Sequence, residues 1–181
     1  MTIHYFAYGS NLATRRLFQR IPNARLDSVA TLRAHRLCFR KNDKGRSGKC
    51  DIEFTGDSDD IVYGALYLIS HEEKQTLDSY ESHGFGYIDR EIEVIRACGN
   101  ALRALTYVAI DIDHTRQPFH WYKEHVLRGA REHRFPADYI AWIEQQASID
   151  DPDAERARRE LAIYRDRDDF ARATPRPGAA G

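Results

Sequence analysis

The hydrophobic pattern of the first hundred or so residues is typical of β-strands rather than of helices. The segment IVYGALYLI, residues 61 to 69, is apolar on both alternating faces, as in a strand that is buried on two sides. Shorter apolar runs predict further strands at residues 3–8, 31–40, 87–95 and 101–110. Since the last two runs flank Gly99-Asn100, we expect them to form a hairpin.

Two segments of this strand-rich region have helical spacing instead. The first runs from about Leu12 to Arg20. The second begins at Ser70, where the letters SHEE have the S-x-x-E form of a capping box, in which serine and glutamate bond each other's backbone N–H groups. This second helix should reach about Glu81.

The last third of the chain is predicted to be helical. Residues 119–133 and a segment opened by Pro136 predict two helices, and Asp151-Pro152 predicts the N-cap and first residue of a third. That third helix carries an apolar stripe at helical spacing, formed by Ala154, Ala157, Leu161 and Tyr164. Its charges are of mixed sign, which indicates a solvated face. Strands that come first and helices that follow give an α+β fold.

Composition excludes several classes of function. The 181 residues suit one domain, expected over residues 1–170 and followed by a disordered tail at 171–181. Because 27 basic residues balance 28 acidic ones, we expect no nucleic-acid partner. No apolar run approaches the roughly 20 residues of a membrane span, so no membrane partner is expected. Three unclustered cysteines and the lack of a recognisable signal peptide favour a cytoplasmic protein without disulfides.

Familiar cofactor and metal motifs are absent from the sequence. Gly84-Phe85-Gly86 lacks the third glycine of a dinucleotide fingerprint, and His71-Glu72 is followed by Gln75 where a zincin helix needs histidine. The eight histidines are scattered, and neither a phosphate-binding loop nor a serine nucleophile elbow is present. We therefore expect neither a metal nor a cofactor.

The segment Tyr8-Gly9-Ser10-Asn11 stands where the first strand ends and the first helix begins. Such a junction leaves backbone N–H groups free near the positive end of the helix dipole, which suits a carboxylate or a developing oxyanion. Gly9 would let a ligand approach the backbone closely. Ser10 or Asn11 equally suits an ordinary N-cap, so the segment alone leaves a turn and a binding site both open.

Glu81 is the second candidate, because Leu77 lies one helical turn before it on the same face. If Leu77 packs inward, Glu81 also points inward. Burial and the negative end of the helix dipole would then favour the protonated form of its carboxyl, which is the tuning that a general base near neutral pH needs. A solvated glutamate on a frayed last turn is the alternative.

Taken together, these residues resemble a known family. Tyr8-Gly9-Ser10-Asn11-Leu12 after a hydrophobic strand, Leu77-Asp78-x-x-Glu81, and Tyr87-x-x-Arg90 before a strand are similar, in order and separation, to motifs of the γ-glutamylcyclotransferase family. Residues 121–143 look like the helical region of that family. One departure is Ser82, which stands where the family commonly has glycine directly after the catalytic glutamate. This departure puts the substrate range in doubt more than the reaction.

The resemblance implies a fold, a reaction and a site. The fold is a small mixed β-barrel with helices packed around it, and the reaction needs no cofactor. The α-amine of a γ-glutamyl group attacks its own γ-carbonyl, which gives 5-oxoproline and a free amine or amino acid. Glu81 is the implied catalytic residue, and a homodimer is a further expectation. The residues implied to bind the γ-glutamyl substrate are Tyr8, Gly9, Ser10, Asn11, Leu12, Tyr87 and Tyr122.

Two alternatives stay open at this point. The same chemistry could remove a γ-glutamyl protecting group from a larger biosynthetic intermediate, which a wide pocket mouth built by residues 83–86 and 111–120 would favour. A small-molecule-binding domain without turnover could also keep the loop at Gly9, although binding alone does not require a buried base such as Glu81. Arg90 either orients the loop after Glu81 or is an exposed strand residue.

Overall fold

Seven strands and five α-helices form within residues 2–81 and 84–165, the part of the chain that the computed structural model describes. The strands are β1 (Thr2–Ala7), β2 (Arg25–Arg33), β3 (His35–Asn42), β4 (Gly48–Phe54), β5 (Ile61–Ser70), β6 (Tyr87–Arg96) and β7 (Ala101–Ala109). The helices are α1 (Thr14–Arg20), α2 (His71–Tyr80), α3 (His120–Glu132), α4 (Ala137–Gln145) and α5 (Ala154–Ala162).

Five of the strands close into a barrel in the order β1-β5-β2-β6-β7. All the neighbouring pairs are antiparallel except β1 and β7, which run parallel where Tyr5 faces Leu105. Closure gives each of these five strands, as far as the chain is described, a neighbour on both sides. The structure therefore has the expected mixed barrel, with helices outside it.

The barrel interior depends on one close approach between β1 and β5. Gly64 of β5 lies under the ring of Phe6, and a Cβ atom at this glycine would stand 2.4 Å from that ring and 2.7 Å from the carbonyl oxygen of Ala7. Phe6, Leu66 and Tyr67 are fully buried around this point. The apolar run at 61–69 is thus a central strand, as its pattern predicts.

β3 and β4 form a separate two-stranded sheet. The prediction of one strand over residues 31–40 is wrong, because Ala34 has a φ of 57° and breaks the segment into the end of β2 and the start of β3. β4 was not predicted, although the charges of its sequence GKCDIEF stand at alternating positions, which is the pattern of a half-buried strand. One of these charges, Asp51, is completely buried and accepts hydrogen bonds from Arg40 and from the backbone of Ala109.

The helix ends follow the predicted patterns in part. The capping box at Ser70 is confirmed: the Ser70 hydroxyl accepts from the Glu73 N–H at 3.1 Å, and the Glu73 carboxylate accepts from the Ser70 N–H at 2.8 Å. The expected N-cap at Asp151 is wrong. Asp153 caps α5 instead, because the carboxylate of Asp151 is engaged by the side chains of Arg156 and Trp121.

The charged face of α5 is not fully solvated, contrary to the sequence interpretation. Glu160 forms a half-buried ion pair with Arg16 of α1, and Arg156 pairs with Asp151. The expected tail at residues 171–181 and the domain end at residue 170 lie outside the described residues. None of the described helices has the length and apolar character needed to cross a bilayer.

Candidate functional site

The segment after β1 forms a tight loop with unused backbone donors. Residues Ser10–Leu12 make one turn of 3₁₀-helix, closed by the Leu12 N–H on the Gly9 carbonyl at 2.9 Å. Among the described residues, no hydrogen-bond acceptor engages the N–H groups of Gly9, Ser10 and Asn11. Neither the Ser10 nor the Asn11 side chain caps a helix, so the N-cap interpretation is wrong. Three consecutive free N–H groups are the kind of backbone donor set that binds anions.

The neighbours of this loop explain why it is built from small residues. A Cβ atom on Gly9 would lie 3.0 Å from the Cβ of Cys50 and 3.4 Å from the hydroxyl oxygen of Tyr122, so β4 and α3 both press on the loop. On its other side Gly129 of α3 lets Leu12 approach, since a Cβ at Gly129 would stand 2.3 Å from the Leu12 Cβ. The loop is therefore held from two directions.

One cavity of about 300 Å³ of empty space, partly open to solvent, brings most of the predicted site together. Its lining residues are Tyr5, Tyr8, Gly9, Ser10, Asn11, Cys50, Glu81, Tyr87, Tyr107 and Tyr122. Leu12 is the exception among the predicted residues: its side chain is fully buried away from this lining, and its carbonyl contacts the ring of His133 at 2.9 Å. The geometry gives Leu12 a packing role and not a binding role.

Glu81 points into this cavity, as the spacing from Leu77 predicts. Leu77 is completely buried, and the side chain of Glu81 is 16% exposed. Glu81 follows the last residue of α2 with φ −85° and ψ 1°, and its N–H still donates to the Leu77 carbonyl at 2.9 Å. These dihedral angles lie in the sparsely populated bridge region, where many active-site residues occur. The frayed, solvated glutamate is thus excluded.

A hydrogen-bond network ties Glu81 to the loop. The amide of Asn11 donates to Glu81 Oε1 at 3.3 Å and to the Tyr5 hydroxyl at 2.9 Å. Arg20 Nη1 donates to the same Glu81 oxygen at 3.0 Å and to Asn11 Oδ1 at 2.9 Å. Asn11 thereby connects the carboxylate with the backbone donors, and Arg20 holds the side chains of Glu81 and Asn11 together.

Sequence reasoning missed Arg20, Tyr5, Cys50 and Tyr107. For Arg20 no signal was available, because only the fold brings Glu81 to it. Cys50 belongs to the unpredicted strand β4, for which the alternation of Cys, Ile and Phe with charged residues was the available signal. Arg90 is exposed on β6, which is the simpler of its two interpretations.

Tyr87 and Tyr122 line the cavity, but both also hold the backbone of Cys50. The Tyr87 hydroxyl donates to the Cys50 carbonyl at 2.7 Å, and the Cys50 N–H donates to the Tyr122 hydroxyl oxygen at 3.0 Å. Cys50 lies opposite a β-bulge in β3, where the ladder passes from Cys38–Asp51 to Lys41–Lys49. The two tyrosines thus bond backbone groups at the point where the bulge interrupts the ladder. β-Bulges often occur beside active sites.

Burial keeps the tyrosines of the cavity in their neutral form. It raises the pKa of Tyr8, Tyr87 and Tyr122 well above the usual value for phenol groups. The Tyr122 hydroxyl accepts from the Cys50 N–H and also hydrogen-bonds the Cys50 side chain, so it is engaged mainly by Cys50. Tyr87 already donates to Cys50, so it shapes the wall and has no proton left to offer a ligand.

The position of α2 is fixed by a second set of polar contacts. The Tyr107 hydroxyl donates to Asp78 Oδ1 at 2.7 Å, and Lys74 Nζ bridges Asp78 at 2.9 Å and Asp89 at 3.1 Å. These contacts join the helix to β6 and β7. The end of α2, and with it Glu81, is therefore anchored to the barrel.

Comparison with known proteins shows to which family the chain is similar. Residues 61–143 match the AIG2-like family. Over 141 residues the chain is 30% identical to a human protein named gamma-glutamylcyclotransferase, and the alignment covers 75% of this chain and 73% of that protein. The chain belongs to the γ-glutamylcyclotransferase family. The resemblance inferred from the sequence motifs is therefore confirmed.

Solved structures agree with this membership at the level of the fold. A human protein described as uncharacterized is 26% identical and superposes with a TM-score of 0.75, covering 82% of this chain and 90% of that one. A structure named gamma-glutamyl cyclotransferase is 24% identical with a TM-score of 0.79, covering 90% of this chain and 98% of that one. The mixed barrel with outer helices is thus the fold of the γ-glutamylcyclotransferase family.

Chemically, the cavity combines one carboxylate, three free backbone donors and neutral phenol groups. In residues 2–81 and 84–165, no group of three or more His, Cys, Asp or Glu side chains is placed to hold a metal ion. Ser82 and residue 83 of the predicted pocket mouth lie outside the described residues. The wide-mouth criterion for a larger substrate therefore stays a prediction.

Proposed function

We propose that this chain is an enzyme that converts a γ-glutamyl amino acid or γ-glutamyl amine into 5-oxoproline and the free amine. The observation that carries the proposal is that Glu81 lines the same cavity as the loop whose Gly9, Ser10 and Asn11 N–H groups have no acceptor among the described residues. A base beside an anion-binding loop is what an intramolecular aminolysis requires.

The proton movements assign one role to Glu81. An α-ammonium group ordinarily has a pKa of about 7.7–8.0, so that of the substrate must lose a proton before its nitrogen can attack. The Glu81 carboxylate takes this proton. The α-nitrogen then bonds to the γ-carbonyl carbon and closes the five-membered ring. As the tetrahedral intermediate collapses, Glu81 returns a proton to the leaving nitrogen while the old amide bond breaks.

The rest of the cavity curls the substrate and holds its negative charge. The attacking and attacked atoms belong to one molecule, so orienting them supplies much of the rate enhancement. The N–H groups of Gly9, Ser10 and Asn11 hold oxygens of the γ-glutamyl end. Arg20 is a positioning residue that keeps Glu81 and Asn11 in register.

A panel of γ-glutamyl compounds tests this proposal. Purified protein is incubated with γ-glutamyl dipeptides, γ-glutamyl-lysine and glutathione, and 5-oxoproline is measured by chromatography. We expect release from at least one γ-glutamyl dipeptide at a rate far above that of a protein-free control. Tight binding of these compounds without 5-oxoproline would instead identify a binding domain, and release only from a larger γ-glutamyl conjugate would favour the deprotection reaction.

We also infer a cytoplasmic homodimer that acts on small molecules. The three cysteines are free, which suits a reducing compartment. Cell fractionation tests the compartment, and sedimentation analysis over a range of concentrations tests the dimer.

A further inference from the structure

Lys41 is a buried cation that lacks a close partner. It lies on β3 with 7% of its surface exposed, and the nearest carboxylate oxygen that forms an ion pair with its Nζ is Asp43 Oδ1, at 3.9 Å. No hydrogen bond from Nζ to any described residue is present. Burial lowers the pKa of Lys41, and the neighbouring charge of Lys49 acts in the same direction. An ammonium group in this position is costly unless a ligand of opposite charge reaches it.

Lys49, directly opposite on β4, shows what a paired lysine in the same hairpin looks like. Its Nζ lies 2.8 Å from the same Asp43 oxygen, and its side chain is 30% exposed. Asp43 is therefore engaged mainly by Lys49. The more buried of the two lysines is left with the weaker contact.

Lys41 stands beside the proposed catalytic cavity. Its Nζ lies 5.3 Å from the ring centroid of Tyr87, which lines that cavity. Gly86 lets Lys41 approach closely, because a Cβ atom at this position would lie 3.0 Å from Lys41 Nζ and 3.5 Å from the carbonyl oxygen of Glu81. The ammonium group thus packs against the backbone at Gly86, which also lies next to the backbone of the proposed base.

We propose that Lys41 binds the carboxylate of the amino acid that leaves the γ-glutamyl group, and so makes the enzyme prefer γ-glutamyl amino acids over γ-glutamyl amines. This inference rests on the proposed function. The leaving nitrogen must reach Glu81, and the carboxylate of a leaving amino acid is only two bonds further. Arg20 is already engaged by Glu81 and Asn11. Lys41, in contrast, lies beside a residue of the cavity lining, and its Nζ makes no hydrogen bond within the part of the chain that the structure describes.

A matched pair of substrates tests this assignment. γ-Glutamylalanine and γ-glutamylethylamine differ in the leaving group by the carboxylate alone. We expect Lys41→Met to lower kcat/KM for γ-glutamylalanine by about 10- to 100-fold, the usual effect of removing a hydrogen bond to a charged group. For γ-glutamylethylamine the same variant should change kcat/KM less than about twofold, since that leaving group makes no such bond.

Two further variants separate recognition from structure. Lys41→Arg should restore most of the activity on γ-glutamylalanine, and Lys49→Met should leave the preference between the two substrates unchanged. Thermal unfolding of each variant shows whether the fold is retained. Equal losses on both substrates, or no loss on γ-glutamylalanine, would overturn the assignment.

A binding measurement keeps this test separate from the proposed reaction. If the wild-type protein releases no 5-oxoproline from either substrate or from any compound of the panel above, the proposed function fails. Titration calorimetry with γ-glutamylalanine then decides the role of Lys41 alone. Weaker binding to Lys41→Met than to wild type supports that role, whereas equal affinity, or no binding to either protein, refutes it.

Discussion

Helix α1 carries two arginines one turn apart, and each forms an ion pair with a glutamate from a distant part of the chain. Arg20 pairs with Glu81 beside the cavity, and Arg16 pairs with Glu160 of α5. The four side chains are similarly shielded from solvent. The difference between the two pairs lies in what surrounds them.

The Arg16 cluster is closed by protein groups. Arg16 Nη1 bonds the Nε2 atom of His125 at 3.0 Å as well as Glu160, and the Nδ1 atom of His125 bonds the Tyr164 hydroxyl at 2.6 Å. His125 Nε2 also lies 3.3 Å from Glu160, so one imidazole ring contacts Arg16, Glu160 and Tyr164. These contacts join α1, α3 and α5. The lining of the cavity at Gly9 does not include them.

The Arg20 cluster, in contrast, leaves polar capacity unused. Asn11 and Arg20 satisfy Glu81 on one side, while the N–H groups of the loop remain without acceptors among the described residues. A buried ion pair therefore does not identify a functional site by itself. Unused donors that border a cavity distinguish the Arg20 cluster from the Arg16 cluster, which holds helices together.

Replacing Glu81 should lower the activity strongly, whereas replacing Glu160 should leave it close to that of wild type. We expect Glu81→Gln to lower the rate of 5-oxoproline release by about 10²–10⁴-fold, because the amide cannot take the proton from the substrate amine. Affinity for γ-glutamyl compounds and thermal stability should change little. Glu160→Gln is the matched control, with activity close to wild type. Turnover retained in Glu81→Gln would remove Glu81 from its proposed role.

Filling the loop should come next in size. Gly9→Val introduces atoms where Cys50 and the Tyr122 hydroxyl already stand, so we expect substrate affinity to fall by about 100-fold, with a stability loss of about 1–3 kcal/mol. Ser10→Ala keeps the backbone donor and should weaken affinity less than about fivefold. Calorimetric titration and urea unfolding measure the two effects. Equally mild results from both variants would mean that the loop is only a turn.

Removing each arginine sharpens the comparison further. Arg16→Met leaves Glu160 without its cation, and we expect a loss of about 2–4 kcal/mol in the free energy of unfolding with kcat/KM within about threefold of wild type. Arg20→Met should instead lower kcat/KM more than about tenfold, because Glu81 and Asn11 lose their shared donor. Urea unfolding and steady-state kinetics of both variants measure this. The same pattern in both variants would erase the distinction between the clusters.

Acid should weaken the closed cluster through His125. Burial lowers the pKa of His125 to about 4 from its usual 6.5, so its contribution to stability is complete above pH 6.5 and falls as the pH drops towards 4. Burial raises the pKa of Glu160, but the contacts of its carboxylate with His125 and Arg16 outweigh burial and lower this pKa to about 2. The contribution of Glu160 to stability therefore falls as the pH drops below 4.5. Both titrations therefore lower the stability of the folded protein as the pH falls.

Urea unfolding between pH 7 and pH 4 measures the effect of His125. We expect wild type to lose of the order of 2 kcal/mol more than His125→Gln over this interval, because glutamine keeps a donor and an acceptor but does not titrate. Parallel pH profiles for the two proteins would show that His125 contributes nothing to acid sensitivity.

The sequence predicted the elements whose patterns are local. The hairpin at 87–110, the capping box at Ser70 and the inward face shared by Leu77 and Glu81 all follow from spacing of a few residues. The break at Ala34 and the burial of Asp51 on β4 could not be found this way. A positive φ at alanine and a buried Asp51 both depend on partners far along the chain.

The candidate site was predictable only as two separate segments. The loop at Gly9 and the residue Glu81 each left a bland alternative open until the structure brought them to one cavity. Arg20 completes the network through a contact 61 positions away in sequence, which no local pattern encodes. Glycine is required at position 9 because Cys50 packs closely against the loop, a reason that the sequence interpretation did not contain.

Hydrogen exchange at the backbone amide of Cys50 would report on the wall of the cavity. Its N–H donates to a tyrosine of α3 and its carbonyl accepts from a tyrosine of β6, although Cys50 itself belongs to a two-stranded sheet outside the barrel. This one amide hydrogen should therefore exchange with deuterated solvent slowly and on a different timescale from its hairpin neighbours. Its exchange rate would measure how often the β3–β4 hairpin separates transiently from the barrel. A ligand that closes the cavity would slow this exchange further.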